Sequence, residues 1–136
     1  MNTFIIGTGL IGGSFALDIQ QEYENANIYG IDQNEAHLHE AIALGVVHHP
    51  ATLEDLKIAD VVIISIPVDA SLELIPKVLD KVNDDAVVID AGSTKQGICE
   101  VVKNHPKRRN FLAAHPIAGT EFSGPKAALK GVYKEK

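Results

Sequence analysis

Gly7-Thr8-Gly9-Leu10-Ile11-Gly12-Gly13-Ser14 is the stretch on which the reading of this chain turns. It follows a continuous apolar run, Thr3-Phe4-Ile5-Ile6, of the kind a strand buried on both faces carries. It opens a helical segment from Leu10 to about Gln21. Between a strand and a helix, G-x-G-x-x-G points to a dinucleotide, because each glycine has its own steric reason. Gly7 permits the tight turn off the strand. Gly9 lets the backbone approach a pyrophosphate, and Gly12 lets the helix pack close to the strand, a contact that Gly13 extends. The helix start at Leu10, Ile11 and Gly12 offers free N–H groups and a partial positive charge to phosphates. A glycine-rich turn without a ligand is the plainer alternative.

The same alternation continues outward from this motif. Asn27-Ile28-Tyr29-Gly30-Ile31 reads as the second strand and ends at Asp32, 20 residues past Gly12. At that place an acidic side chain hydrogen-bonds the ribose hydroxyls of NAD and repels the 2′-phosphate of NADP. Gln33 and Asn34 bring no positive charge to reverse that choice. Asp32 as a mere turn or capping residue is the alternative. A helix is expected from Glu35 to Leu44, with Leu38, Ala41 and Ile42 on one face and Gly45 as its C-terminal cap. Val46-Val47 is expected as a short third strand. Ala59 to Ile66 is the clearest buried strand, stopped by Pro67. A helix over Val68 to Val82 is expected to kink or break at Pro76. Ala86 to Asp90 reads as a strand, Thr94 to Asn104 as a helix, and Asn110 to Ala114 as the last strand. Ser65, Ile66, Pro67 and Val68 are expected to wall the crevice at the strand ends. The fold expected is a Rossmann-type, doubly wound α/β fold: a mainly parallel sheet with helices on both faces.

Composition narrows the class of protein. The chain has 136 residues, room for one domain with a single good core, and 46% of them are hydrophobic. A net charge of −6 argues against a general nucleic-acid or anionic-membrane surface. The one basic run, Lys107-Arg108-Arg109, reads as a solvated loop. The single cysteine, Cys99, rules out an internal disulfide framework, fits a reducing cytosol and reads as a small buried hydrophobe in a helix. No apolar run approaches the roughly 20 residues of a membrane span. With a strand expected within the first few residues, no signal or transit segment is expected. His37 and His39 are two apart on a helix and do not share a face. With His48-His49 they lack the cysteines or spaced carboxylates of a zinc site, so no metal is expected.

The C-terminal third carries the chemistry. His115-Pro116-Ile117-Ala118-Gly119-Thr120-Glu121-Phe122-Ser123-Gly124 follows the last strand on its carboxyl, crevice side. Histidine suits a hydride-transfer site because it can take a hydroxyl proton near neutral pH. Together with Asp90-Ala91-Gly92-Ser93-Thr94-Lys95 and the glycine motif, this stretch resembles the prephenate and arogenate dehydrogenases of tyrosine biosynthesis. The resemblance covers nearly the whole chain and implies oxidative decarboxylation with NAD. It implies that His115 contacts the ring hydroxyl of the substrate and that Ser93 orients that hydroxyl or the histidine. Thr120, Glu121 and Ser123 match positions near substrate or nicotinamide. A buried structural imidazole at His115 and a helix N-cap at Ser93 are the plainer alternatives.

That family has a second, all-helical domain that forms a homodimer and completes the substrate pocket. The expectation is therefore one NAD-binding domain over residues 1–136 of a cytoplasmic enzyme, with the helical domain absent and turnover incomplete. Its small-molecule substrate would be prephenate or arogenate. A truncated or non-catalytic NAD-binding module, a NAD-sensing regulator and another β-hydroxyacid-type or imine-type dehydrogenase are the alternatives. The His115 segment argues against the last of these.

Overall fold

The computed structural model describes residues 2–7, 10–23, 25–66, 68–90 and 102–113. Strand β1 (Asn2–Ile6) leads to helix α1 (Leu10–Glu22), β2 (Asn27–Ile31) and α2 (Glu35–Ala43). A short β3 (His49–Pro50) and a 3₁₀ turn (Leu53–Ile58) precede β4 (Val61–Ile64) and α3 (Val68–Lys81). Then come β5 (Val87–Asp90), a second 3₁₀ turn (Arg108–Asn110) and β6 (Phe111–Ala113). The six strands pair in parallel in the order β3-β2-β1-β4-β5-β6. The order reverses direction between β1 and β4, which opens a crevice at the carboxyl ends of those strands.

Strand alternation sends successive residues to opposite layers. Phe4, Ile6, Val62, Ile64 and Val88 pack with Leu56 of the first 3₁₀ turn and with Ile75, Val78 and Leu79 of α3. Ile5, Ile28, Val61, Ile63 and Ile89 pack with Ala16 and Ile19 of α1 and Ala41 of α2. Both faces are therefore covered, and the apolar runs of β1 and β4 are buried throughout the pairing with each other. Helix α1 is tied to the end of α2 by Gln20, whose Nε2 donates to the carbonyls of Gly45 (3.1 Å) and Val46 (2.9 Å). Gly45 ends α2 with φ +77°, the left-handed conformation expected of a glycine after a helix.

Three expectations are corrected. Val46-Val47 is not the third strand: both N–H groups bond the carbonyl of Ala41, at 2.9 and 3.2 Å, closing the end of α2. Val47 is buried in the layer beneath that helix, and the strand forms next along, where Tyr29 pairs with His49 and Gly30 with Pro50. Helix α3 is not broken at Pro76. The burial of Ile75, Val78 and Leu79 around it outweighs the loss of one backbone donor. The run Lys107-Arg108-Arg109 is not wholly solvated. Arg108 and Arg109 are exposed, but the Lys107 ammonium donates to the Val82 carbonyl at the end of α3. His105 supports the same junction: its Nε2 lies 2.7 Å from Asp80 Oδ1, and its Nδ1 accepts from the Lys107 N–H at 3.0 Å. The helix expected over 94–104 lies mostly outside the described residues; Val102 is buried against the α3 layer.

Candidate functional site

The crevice is built by the ends of three strands. Beyond β1, the Gly7 N–H donates to the Ile31 carbonyl at 2.8 Å, extending the β1–β2 ladder by one residue. Beyond β4, the Ser65 N–H donates likewise to the Ile6 carbonyl at 2.8 Å. Gly7 turns there with φ +90°, where side chains are strained. A Cβ at Gly7 would also collide with the Ser65 carbonyl and stand 2.8 Å from Ile66 Cγ2. Glycine is thus required twice over, by conformation and by space. Gly13 differs: among the described residues a Cβ there would meet only Val46 Cγ1, at an ordinary 3.5 Å. That neighbour belongs to the segment after α2, and among the described residues no strand atom comes within contact of a Gly13 Cβ, as the expected close helix–strand packing would require.

Asp32 stands directly after β2, and with Gly7 it borders a cavity of about 400 Å³. The cavity is largely apolar away from that rim. Ile31 and Ile66 line it from the strand ends, Leu53 from the 3₁₀ turn, and Ala70 and Leu74 from α3. The Asp32 carboxylate accepts from the Asn34 N–H at 2.9 Å. The turn role weighed for Asp32 is therefore real, and it coexists with a place on the cavity. The loop carrying Ile66 is held by Ser71, fully buried, whose hydroxyl donates to the Ile66 carbonyl at 3.3 Å.

The arrangement suits a dinucleotide's adenosine half. An apolar slot accepts a base, a carboxylate at its rim accepts hydrogen bonds from ribose hydroxyls, and the start of α1 follows the glycine turn. Leu10, Ile11 and Gly12 form the first turn of α1, where N–H groups lack helical partners. Ser65 contributes the carbonyl packed against Gly7, while its neighbour Ile66 lines the cavity. Gly9, Pro67, Ser93, His115, Thr120, Glu121 and Ser123 lie outside the described residues. Leu53, Ala70, Leu74, Gln33 and Asn34 were not anticipated as cavity residues. For Leu53 the available signal was Thr52-Leu53-Glu54-Asp55, a capping box that announces a helical turn. Among the described residues no three of His, Cys, Asp and Glu converge as a metal site, and no helix is long and apolar enough to cross a membrane.

Strand order, glycine turn and cavity define a nucleotide-binding domain of Rossmann type. Within that class, the chain belongs to the family of prephenate dehydrogenase nucleotide-binding domains, whose family model matches residues 15–136. It is 33% identical over 134 residues to the prephenate dehydrogenase of Bacillus subtilis (strain 168), covering 96% of this chain and 36% of that protein. The crystal structure of prephenate dehydrogenase from A. aeolicus in complex with hydroxyphenyl propionate and NAD+ is similar, with a TM-score of 0.76 and 35% identity, covering 93% of this chain and 45% of that one. Synechocystis arogenate dehydrogenase is similar too, with a TM-score of 0.76 and 25% identity, covering 89% of this chain and 42% of that one. The chain thus spans from 36% to 45% of the length of these three proteins.

Proposed function

We propose that this chain is the cofactor-binding and hydride-transfer domain of a cytoplasmic NAD-dependent dehydrogenase of tyrosine biosynthesis. Its reaction would be oxidative decarboxylation of prephenate to 4-hydroxyphenylpyruvate. The observation that carries the reading is Asp32 beside Gly7 on one cavity, in a chain of this family. Asp32 and the first turn of α1 would hold NAD at its ribose and phosphates. When bound, NAD supplies the acceptor for the hydride on the ring carbon that bears the hydroxyl.

The chain's own residues then have separable roles. His115 would accept the hydroxyl proton, and Ser93 would orient that hydroxyl or the imidazole. Thr120 and Ser123 would donate hydrogen bonds near the substrate, and Glu121 would gate the pocket by its charge. As hydride leaves and the hydroxyl gains carbonyl character, the bond to the carboxylate breaks and carbon dioxide departs. Its electron pair would flow through the ring to that oxygen, which takes the proton back from His115, leaving an aromatic ring with a phenol hydroxyl. Sheet register supports the pairing of Ser93 with His115. Parallel strands β5 and β6 end side by side, with Asp90 opposite Ala113. Ser93 and His115 follow those ends by three and two residues, so short tethers lead to both from neighbouring points.

Arogenate is the second substrate reading, favoured by the similarity to the Synechocystis enzyme. A helical partner domain would complete the pocket and form a homodimer. A spectrophotometric assay of NAD reduction by the full-length protein, with prephenate and with arogenate, tests the proposal. Reduction with one of them supports the reading. No reduction with either, alongside measurable NAD binding, favours a non-catalytic NAD-binding module.

A further inference from the structure

Between β2 and α2 the chain makes a turn of three residues, Asp32, Gln33 and Asn34. Asn34 is engaged at both ends of it. Its backbone N–H donates to Asp32 Oδ1 at 2.9 Å. Its side-chain Oδ1 accepts from the N–H groups of Ala36 (3.0 Å) and His37 (3.2 Å), capping α2. One backbone conformation, extended at φ −91° and ψ 103°, serves both contacts. That conformation lays the amide over the first turn of α2 while its N–H faces back to the carboxylate.

We infer that Asn34 is a positioning residue for the dinucleotide: by capping α2 it holds the Asp32 carboxylate in the orientation that receives the ribose hydroxyls. The inference rests on the NAD reading of Asp32. A carboxylate on two freely rotating bonds must be ordered when ligand binds, and ordering it beforehand removes that cost. A hydrogen bond to an ionised acceptor is a strong restraint. The restraint is only as firm as the backbone that offers the donor. Loss of the Asn34 side chain frees two N–H groups at the start of α2 and releases the conformation of residue 34, and with it the direction of its N–H. Serine caps a helix about as well as asparagine, whereas alanine does not. Asn34 also borders the cavity, so direct contact of its amide with ligand is the competing role.

Calorimetric titration of the full-length protein with NAD and with NADP separates these. Asp32→Ala should weaken NAD about tenfold or more. Asn34→Ala should weaken NAD about three- to tenfold and shrink the NAD-to-NADP preference. Asn34→Ser should restore both to within about twofold, since it keeps the cap and removes the amide. In the Asp32→Ala background, Asn34→Ala should cost nothing further. If Asn34→Ala does not fold, Asn34→Gly deletes the same side chain at a position that tolerates glycine. Unchanged NAD affinity in Asn34→Ala or Asn34→Gly, with Asp32→Ala impaired, overturns the positioning role and leaves the NAD reading standing. So does an equal loss in the Asp32→Ala background, or failure of serine to rescue. Undiminished NAD binding by Asp32→Ala overturns the NAD reading itself.

Discussion

Three glycine-to-alanine substitutions should separate conformational strain from steric overlap at the nucleotide turn. At Gly45 φ is +77° and a Cβ would have nothing within 4 Å, so Gly45→Ala carries only the left-handed penalty, roughly 1–2 kcal/mol. Gly7 has a similar φ of +90°, but its Cβ would run into the Ser65 carbonyl. Relief requires the ends of β1 and β4 to move apart, and they are joined there by the Ser65-to-Ile6 hydrogen bond of 2.8 Å. Overpacking of this kind adds roughly 1–3 kcal/mol. Gly7→Ala should therefore cost roughly 2–5 kcal/mol in all. For a domain of this size that lowers Tm by roughly 6–20 °C. Gly13→Ala should go the other way: it sits in α1 with an ordinary 3.5 Å contact, and alanine there is worth roughly 0.5–1 kcal/mol. Thermal and denaturant unfolding of the variants checks the ranking, and NAD titration checks that Gly7→Ala also damages the crevice. If Gly7→Ala matched Gly45→Ala in stability and kept parental NAD affinity, the close approach of Ser65 would be irrelevant and the steric reasoning wrong.

Other perturbations address the remaining links. Asp32→Ala should narrow the preference for NAD over NADP by roughly 1.5–3 kcal/mol, the usual scale for a hydrogen bond to a charged group; equal or tighter NADP binding by the parent protein would sink that expectation. His115→Asn in the full-length enzyme should leave NAD affinity intact, lower kcat about 10²–10⁴-fold and remove the histidine limb of the pH–rate profile. A variant with parental kcat and the same limb would make His115 structural. Asn110, 8% exposed, donates through Nδ2 to the carbonyls of Asp84 (2.6 Å) and Ala86 (2.7 Å), so Asn110→Ala should destabilise by roughly 1–3 kcal/mol in denaturant unfolding without altering NAD affinity.

What the sequence determined by itself is local. The apolar run before Gly7, the glycine spacing and an acidic residue at the end of the next strand are relations within one βαβ unit. Strand burial, the glycine turn and ribose recognition act over short stretches of chain, so β1, α1, β2 and the place of Asp32 were legible. Gly45 was legible for the same reason, because only the left-handed turn after α2 is at stake. Tertiary structure decided what depended on distant partners. Val46-Val47 has strand-forming side chains, yet the Ala41 carbonyl took their N–H groups and the strand shifted to His49–Pro50. Pro76 reads as a kink or a break, and α3 runs through it unbroken on the layer it packs against. The cavity joins Gly7 and Asp32 to Leu53 and Leu74, which lie far along the chain. No local pattern marks those leucines as pocket rather than core. That distinction depends on where packing stops, and packing is settled only when the 3₁₀ turn and α3 meet over the ends of β1, β2 and β4.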